Sequence, residues 1–464
     1  MLKTTSDYPV LSTTLTLPRV IRDPLHGDIR LTEFEWQLLN TKECQRLRWI
    51  KQLGFANLVY PGAEHSRLSH SIGTLFTANK ILRSIEERTG TPFDTEERLM
   101  ARCYALLHDI SHIPYGHTLE DELGLYSRHD GNSDRLERLL FYENSEAGNV
   151  LRTTDYGKAV LALFETGAAS RPNNHIKALV DGPTSADVLD YIDRDAYFCG
   201  LDHRVDSAIY RRFSFSDQRQ FVSRTYGGHG FRLDADFALE SVLRERFALF
   251  LKVYTHPAKV AAGAMLGKAV AELMRSGEDN LAHEDLEWMG DAELLVRLKS
   301  SPNRLCASLA DKLLTRTLYK PAFRTRVIEP TVSGQLRYST QTEKLTGLGV
   351  LDPEGRYSLD QAIATKSNID AGDIIVYCTP APPGLKKFRH HVESGPDSTQ
   401  IRDEEHGPYH RMMMQHLPLW VVYVFLAQDH GHKCVKKVGG VASDILQLPN
   451  EIGVDRKEAS LSGT

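Results

Sequence analysis

The sequence predicts a mostly α-helical protein with a smaller α+β region toward its C-terminus, and three observations carry that prediction. Apolar residues recur at helical spacing through much of residues 33–275, as in Glu97–Leu107, where Leu99, Cys103, Leu106 and Leu107 share one side of a helix. After about residue 320 the pattern changes to short β-branched and aromatic runs bounded by proline or charged loops. With 464 residues, 41% hydrophobic and 25% charged, the chain has globular composition and length enough for two or three cores.

Residues 1–18 are rich in Thr and Ser and read as a flexible arm. Residues 19–275 form the helical core, with Phe237–Met274 continuing the pattern over several turns and breaking at Pro257. The dipeptides Gly182-Pro183 and Gly227-Gly228 mark loops. In the α+β region, residues 276–440, Asp373–Cys378 and Trp420–Leu426 read as strands, and the proline-rich segment from Thr379 to Gly384 as a turn. Phe388–Gln415 reads as an inserted loop. Its His390, His391, His406, His410 and Met412–Met414 are expected on surface loops and a small core patch rather than in a second metal or redox site. Residues 441–464 are polar and weakly patterned, and are expected to be a mobile tail.

A net charge of −5 gives no global basic field, so non-specific duplex binding is not the default. The longest apolar stretch, Leu419–Ala427, is about half of what a spanning helix needs. The N-terminus lacks the apolar segment of a secretory signal. Six cysteines stand singly, with no CxxC pair, which suits a reducing compartment and disfavours zinc-finger chemistry. These features predict a cytoplasmic protein with no membrane association.

Six of the 19 histidines fall between residues 65 and 129, and the densest run is His108-Asp109-Ile-Ser-His112-Ile-Pro114-Tyr-Gly-His117-Thr-Leu-Glu120. His108 and Asp109 close an apolar helix, where a helix core meets a pocket; Pro114 is expected to turn the chain so that His117 points inward. Neutral imidazoles beside a carboxylate suit a first-row divalent ion, but a vicinal His-Asp pair alone is ordinarily incidental. Further ligands must come from elsewhere, and His70 and Asp187 are the candidates. Asp187, Tyr191 and Asp195 fall at i, i+4 and i+8, one polar stripe of a helix that suits a metal bond and hydrogen bonds to a sugar. His65 reads as a loop residue, and Asp190, Asp193 and Arg194 as a solvated face with ion pairs.

Taken together, His70, His108-Asp109 and Asp187 resemble the H…HD…D ligand pattern of the HD-domain superfamily of metal-dependent phosphohydrolases. The resemblance is closer to the deoxynucleoside triphosphate triphosphohydrolase branch. It is carried by Ile21-Arg-Asp23-Pro24-Leu-His26-Gly27, Gln45-Arg46-Leu-Arg48-Trp-Ile-Lys51-Gln52-Leu53-Gly54, Tyr60–Gly73, the histidine run, Asp187-x-x-Asp190-Tyr191-x-x-Arg194-Asp195 and Tyr254-x-His256. These segments span about residues 19–275, which the resemblance makes an HD-domain core; the C-terminal third has no such anchor.

The resemblance implies one divalent ion (Fe, Mn, Mg, Co or Zn) held by His70, His108, Asp109 and Asp187. It implies His112, His117 and His129 on the α-phosphate side as catalytic groups, with Glu120 orienting His117 or relaying a proton. A dNTP substrate would be clamped by Arg67, Tyr191, Asp195, Arg246 and Tyr254, with Gln52 on the 3′-hydroxyl. Leu53 and Tyr254 would wall off a ribose 2′-hydroxyl. The reaction implied is hydrolysis at the α-phosphorus to deoxynucleoside and triphosphate.

Two departures bear on this. Val188 stands where the family commonly has a phosphate-binding lysine, and Asn40 where relatives carry the acidic residue that reads guanine in an activator. Gln45, Arg48 and the nearby basic Arg19 are retained, so a dNTP or GTP activator between subunits of a homo-oligomer is expected, without guanine specificity. The sterile alpha motif of some relatives is expected to be absent. Two alternatives stand: a nucleotidase or phosphodiesterase on another nucleotide, and a non-catalytic module sensing nucleotides or binding single-stranded nucleic acid. In the latter, Trp49 of the basic run Gln45–Lys51 would stack on bases; the competing expectation puts Trp49 and Ile50 in the core, with Arg46, Arg48 and Lys51 facing a neighbour or a nucleotide.

Overall fold

A computed structural model describes residues 15–129, 133–165, 173–227, 230–277, 281, 283–328, 338–380, 390–395, 398–402 and 417–452. The architecture is mostly helical with short sheets, the largest helices being Arg67–Thr89, Leu233–Leu249 and Pro257–Ser276. Of the N-terminal arm, residues 1–14 lie outside the described part, as do His406, His410 and Met412–Met414.

The N-terminal half is built around one apolar core that unites Ile29, Leu75, Leu106, Leu189, Leu239 and their neighbours. A hairpin pairing Arg19–Asp23 with Gly27–Leu31 leads into it. Two of the helices that carry the site start on side-chain caps. Ser66 accepts from the Ser69 amide at 3.3 Å, and Asp94 accepts from the Glu96 and Glu97 amides, so the helices Arg67–Thr89 and Thr95–Leu107 begin where free N–H groups are satisfied. Pro257 sits at the first turn of Pro257–Ser276, where its missing N–H costs nothing, and the expected interruption is a break between two helices.

A second core centres on the Pro257–Ser276 helix and joins Leu119 and Leu123 to Leu294, Leu309, Ile375 and Phe425. A third lies beyond a three-stranded antiparallel sheet, in which Val421–Leu426 runs between Lys320–Arg326 and Ile374–Tyr377. The alternation of strand side chains feeds both: Tyr423 and Phe425 face the second core, Val422, Val424 and Leu426 the third. The two expected strands are therefore present, and they are buried on both faces.

Two expectations change. The segment expected to be a mobile tail, residues 441–464, starts inside the helix His432–Leu446, whose Val438, Ala442 and Leu446 are buried against the sheet; its residues 453–464 lie outside the described part. The chain then follows the edge strand, with the Glu451 amide donating to the Arg324 carbonyl at 2.8 Å. Within the expected inserted loop, His390–Gly395 and Ser398–Arg402 pair as antiparallel strands, and the first runs parallel to Phe221–Arg224.

Candidate active site

Three helices bring the four candidate metal ligands together. His70 lies in the first turn of Arg67–Thr89, His108 and Asp109 follow the end of Thr95–Leu107, and Asp187 lies in the first turn of Ala186–Phe198. Nε2 of His70 is 3.0 Å from Oδ1 of Asp187 and 4.0 Å from Oδ2 of Asp109. Nε2 of His108 is 3.5 Å from Oδ1 of Asp109 and 3.8 Å from Oδ1 of Asp187. Around a cation with bonds of about 2.1 Å, neighbouring ligand atoms stand roughly 3.0–3.4 Å apart; ligand atoms of His70, His108 and Asp109 all lie within 4.8 Å of one another, and Asp187 stands beside both imidazoles. The Asp187 side chain is 26% exposed and opens the group to solvent, while the other three are nearly covered.

The donor chemistry fits a divalent ion. Nδ1 of His108 donates to the Ala105 carbonyl at 2.7 Å, which leaves the Nε2 lone pair facing Asp109 and Asp187. That nitrogen is buried and makes no hydrogen bond among the described residues. Burial opposes a charge on His70, but hydrogen bonds to Asp187 and Asp190 outweigh it and raise the imidazole to about 10. A pocket that pulls a proton so strongly onto a buried imidazole is short of positive charge. Burial would likewise raise Asp109, yet His108 and Arg67 hold it well below the usual carboxylate range, ready to ligate.

Behind the ligands lies a layer whose role the sequence left unread. Asp190 takes Nδ1 of His70 at 2.9 Å and Nε2 of His26 at 2.7 Å. Arg194 binds Asp190 with two nitrogens and Asp23 with a third, at 2.8–3.1 Å. Asp190 and Arg194 are fully buried, so the reading of a solvated helix face is corrected. Gly73 makes the network possible: a Cβ there would lie 2.1 Å from Nη2 of Arg194 and Oδ1 of Asp190.

The histidine trio forms a second wall. The rings of His112 and His129 lie 3.5 Å apart, and His117 meets them edge-on at 4.8 and 5.2 Å. Nε2 of His112 is 3.4 Å from Oδ1 of Asp109, which joins this wall to the metal ligands. Burial, then the charge of Arg67, keeps His112 neutral. The assignment of Glu120 to His117 is corrected. Glu120 accepts from Nδ1 of His129 at 2.8 Å and from Arg135 at 2.7 Å, whereas His117 pairs with Asp121 at 2.8 Å. In the turn Thr118–Glu122, Glu120 points into the core and Asp121, four residues after His117, lies outward beside it. His117 is correspondingly half exposed (49%) rather than turned inward.

Of the residues expected to clamp a substrate, Arg67 and Tyr191 lie beside the metal-ligand group. Arg67 donates through Nη1 to Asp109 at 2.8 Å. Asp195 accepts from the Tyr254 hydroxyl at 2.5 Å and lies 2.9 Å from Nε2 of His65, which is in a loop as expected but buried and stacked on Phe198. Tyr191 sits among Asp187, Asp195 and Arg246, and burial keeps its phenol protonated. Nε of Arg67, Nε of Arg246 and Oε1 of Gln52 are buried and make no hydrogen bond among the described residues. Leu53 is buried at the start of the turn Gly54–Leu58.

The four residues expected to meet an activator lie elsewhere, along the outer side of the helix Glu33–Leu39. Arg19 pairs with Glu33 at 2.9 Å, Asn40 donates to the Trp36 carbonyl, Gln45 donates to the Leu39 carbonyl, and Arg48 donates to Gln45. Trp49 is 68% exposed, against the expectation of a core residue, because the tight turn Leu47–Trp49 commits Leu47 and Ile50 to the interior. Arg46 is buried instead of facing outward, and donates to the carbonyls of Ile110 and His112 at 2.6 Å.

Comparison with known proteins matches this geometry. Residues 67–194 match the HD domain, and residues 237–456 match the HD associated region. The chain is an HD-domain protein. HD domains bind divalent metals, and His70, His108 and Asp109 form a cluster able to hold one. An uncharacterized protein of Methanocaldococcus jannaschii is 32% identical over 308 residues, 65% of this chain and 59% of the relative. A Dictyostelium discoideum protein described as a deoxynucleoside triphosphate triphosphohydrolase SAMHD1 homolog is 28% identical over 263 residues, 55% of this chain and 49% of that protein. The chain thus spans about half to three fifths of these relatives. A hypothetical protein from Aquifex aeolicus of known structure shares the fold, with a TM-score of 0.63 at 20% identity over 90% of this chain and 99% of that one. The HD domain and the HD associated region together account for most of the described chain. Among the described residues, no helix is long and apolar enough to cross a membrane.

Proposed function

We propose that this protein hydrolyses deoxynucleoside triphosphates to deoxynucleoside and inorganic triphosphate. The observation that carries the reading is a set of buried polar atoms with no hydrogen bond among the described residues (Nε of Arg67, Nε of Arg246, Oε1 of Gln52), the two arginines lying beside the metal-ligand group or its neighbour Tyr191. Buried polar atoms are ordinarily satisfied, and two guanidinium edges beside one amide oxygen suit phosphate oxygens and a sugar hydroxyl. The description of the Dictyostelium relative names the same reaction class.

His70, His108, Asp109 and Asp187 would hold the divalent ion, which when bound acidifies water and offsets phosphate charge. Arg67 and Arg246 bind the phosphate chain, and Arg67 spans the gap between substrate and Asp109. Tyr191, Asp195 and Tyr254 orient the sugar, with the Tyr254–Asp195 hydrogen bond fixing the phenol ring as a wall near the 2′ carbon together with Leu53. His117 and the Glu120-anchored His129 line the leaving-group side, where an imidazole can hand a proton to the departing 5′-oxygen. Gln45 and Arg48 would take an activating nucleotide between copies of the chain; assembly and activity that stay unchanged with every dNTP and GTP would refute that role.

The test is a panel of all dNTPs and NTPs, singly and in pairs, with the metal-loaded protein and products resolved by chromatography. Triphosphate with a deoxynucleoside is the expected product pair. Orthophosphate or pyrophosphate would assign the site to a nucleotidase or phosphodiesterase, and no product with any nucleotide would assign it to binding alone.

A further inference from the structure

The site is bordered by two backbone segments from separate parts of the N-terminal half. One is Ile50–Leu53, which carries Gln52. It runs beside His65–Arg67, with the Gln52 amide donating to the His65 carbonyl and the Arg67 amide to the Ile50 carbonyl, both at 2.9 Å. The other is the turn Tyr115–His117, which leads into Glu120. Both are held by one carboxylate from the C-terminal half: Oδ2 of Asp291 accepts from the Lys51 amide at 2.9 Å and Oδ1 from the Tyr115 amide at 3.0 Å.

We propose that Asp291 is a positioning residue that sets the spacing between the Gln52–Arg67 side of the site and the His117 side. Three further observations support it. Asp291 is buried, so its two acceptor oxygens are committed to these amides rather than to water. Tyr115 has φ of 51°, a conformation an L-residue keeps only when its surroundings impose it; its ring stacks on Phe55 at 4.3 Å while Asp291 holds its amide. Asp291 also opens the helix Asp291–Lys299 directly after Gly290, where a Cβ would lie 2.6 Å from Cβ of Trp49. Glycine at that position lets the helix end approach the Trp49–Lys51 backbone closely enough for the carboxylate to reach both segments.

The role rests on the hydrolase reading for its kinetic consequence but not for its structural one, so two readouts are needed. The metal-loaded full-length chain carrying Asp291→Asn keeps one carbonyl acceptor and presents an NH2 group to the other amide. Hydrogen exchange should speed up at least tenfold in residues 50–53 and 115–117, while residues 70–85 stay unchanged and metal per chain equals wild type. In dNTP hydrolysis kcat should fall about tenfold with KM changed less than threefold, because binding groups are present and only their relative placement has shifted. Wild-type exchange in both segments would overturn the proposal, as would wild-type kcat in an active enzyme. An inactive wild-type protein would defeat the hydrolase reading alone, leaving the exchange result to decide this one. Asp291→Glu, which retains both oxygens, should recover part of the lost kcat.

Discussion

Oδ2 of Asp190 lies 2.9 Å from Nδ1 of His70, on the side of the ring facing away from Asp187. A carboxylate in that place fixes the imidazole so that its other nitrogen faces the ion, and makes it a better donor. Asp190 can do so because Arg194 and His26 anchor both its oxygens. Burial alone would raise its carboxyl, but the Arg194 guanidinium and these hydrogen bonds hold it well below the carboxylate range.

Replacing Asp190 by Asn should therefore weaken metal affinity about 10–100-fold with all four ligands intact. Isothermal titration of the metal-stripped protein measures this directly, and wild-type affinity in the variant would count against the anchoring role.

Ligand removal should behave differently from removal of the histidine wall. His108→Ala or Asp187→Ala should abolish both metal occupancy and turnover, whereas His117→Ala should keep the metal and slow hydrolysis about a hundredfold. Elemental analysis beside a rate assay separates the two classes. Full turnover in a metal-free Asp187→Ala protein would refute the ligand assignment.

Gly73→Ala places a methyl group 2.1 Å from two buried polar atoms on a neighbouring helix, where neither Arg194 nor Asp190 has room to retreat. A loss of about 3 kcal/mol of stability is expected, at the upper end for an overpacked core position. Denaturant unfolding of the two proteins gives the difference, and a change under about 0.5 kcal/mol, the range of an unremarkable surface substitution, would mean the helices separate freely.

Asp291 should give opposite pH trends in stability and activity. Burial pushes its carboxyl up to about 6, the Lys51 and Tyr115 amides and the charges of Lys51 and Arg67 holding it from going higher. The unfolded chain releases that proton near 4. A folded value above the unfolded one means that ionisation costs stability: the loss starts as pH rises past about 4 and is complete above about 6. Wild type should fall by about 3 kcal/mol relative to Asp291→Asn across that window. Turnover should instead rise through pH 6 in wild type, since the ionised form accepts both amides, and the variant should lack that limb. Parallel pH profiles in the two proteins would contradict this.

The candidate metal ligands were legible because His70, His108-Asp109 and Asp187 stand in the order of the H…HD…D pattern, although three separate helices bring them together. The long helices and the two C-terminal strands were legible from period alone. Buried charge was not. Nothing local distinguishes a solvated Asp190–Arg194 pair from one sealed against His70, nor Arg46 on the surface from Arg46 grasping the His112 carbonyl; both depend on which distant helix arrives. Asp121, one residue further on, takes the partnership with His117 that was expected of Glu120, a difference of register that the turn Thr118–Glu122 decides. The final helix was readable in principle, since Val438, Ala442 and Leu446 recur every four residues, but Gly439 and Gly440 masked the period.

The Pro257–Ser276 helix shares its apolar cover between Leu119 and Leu123 of the histidine turn on one side and Ile375 and Phe425 of the sheet on the other. Arg356, from the C-terminal half, adds a hydrogen bond to the Leu123 carbonyl at 2.5 Å. The half that carries the metal-ligand group is thus no detachable module: a fragment ending near residue 275 would leave the underside of its own histidine turn wet, and a lesion in the distant sheet can disturb that turn without touching a single ligand.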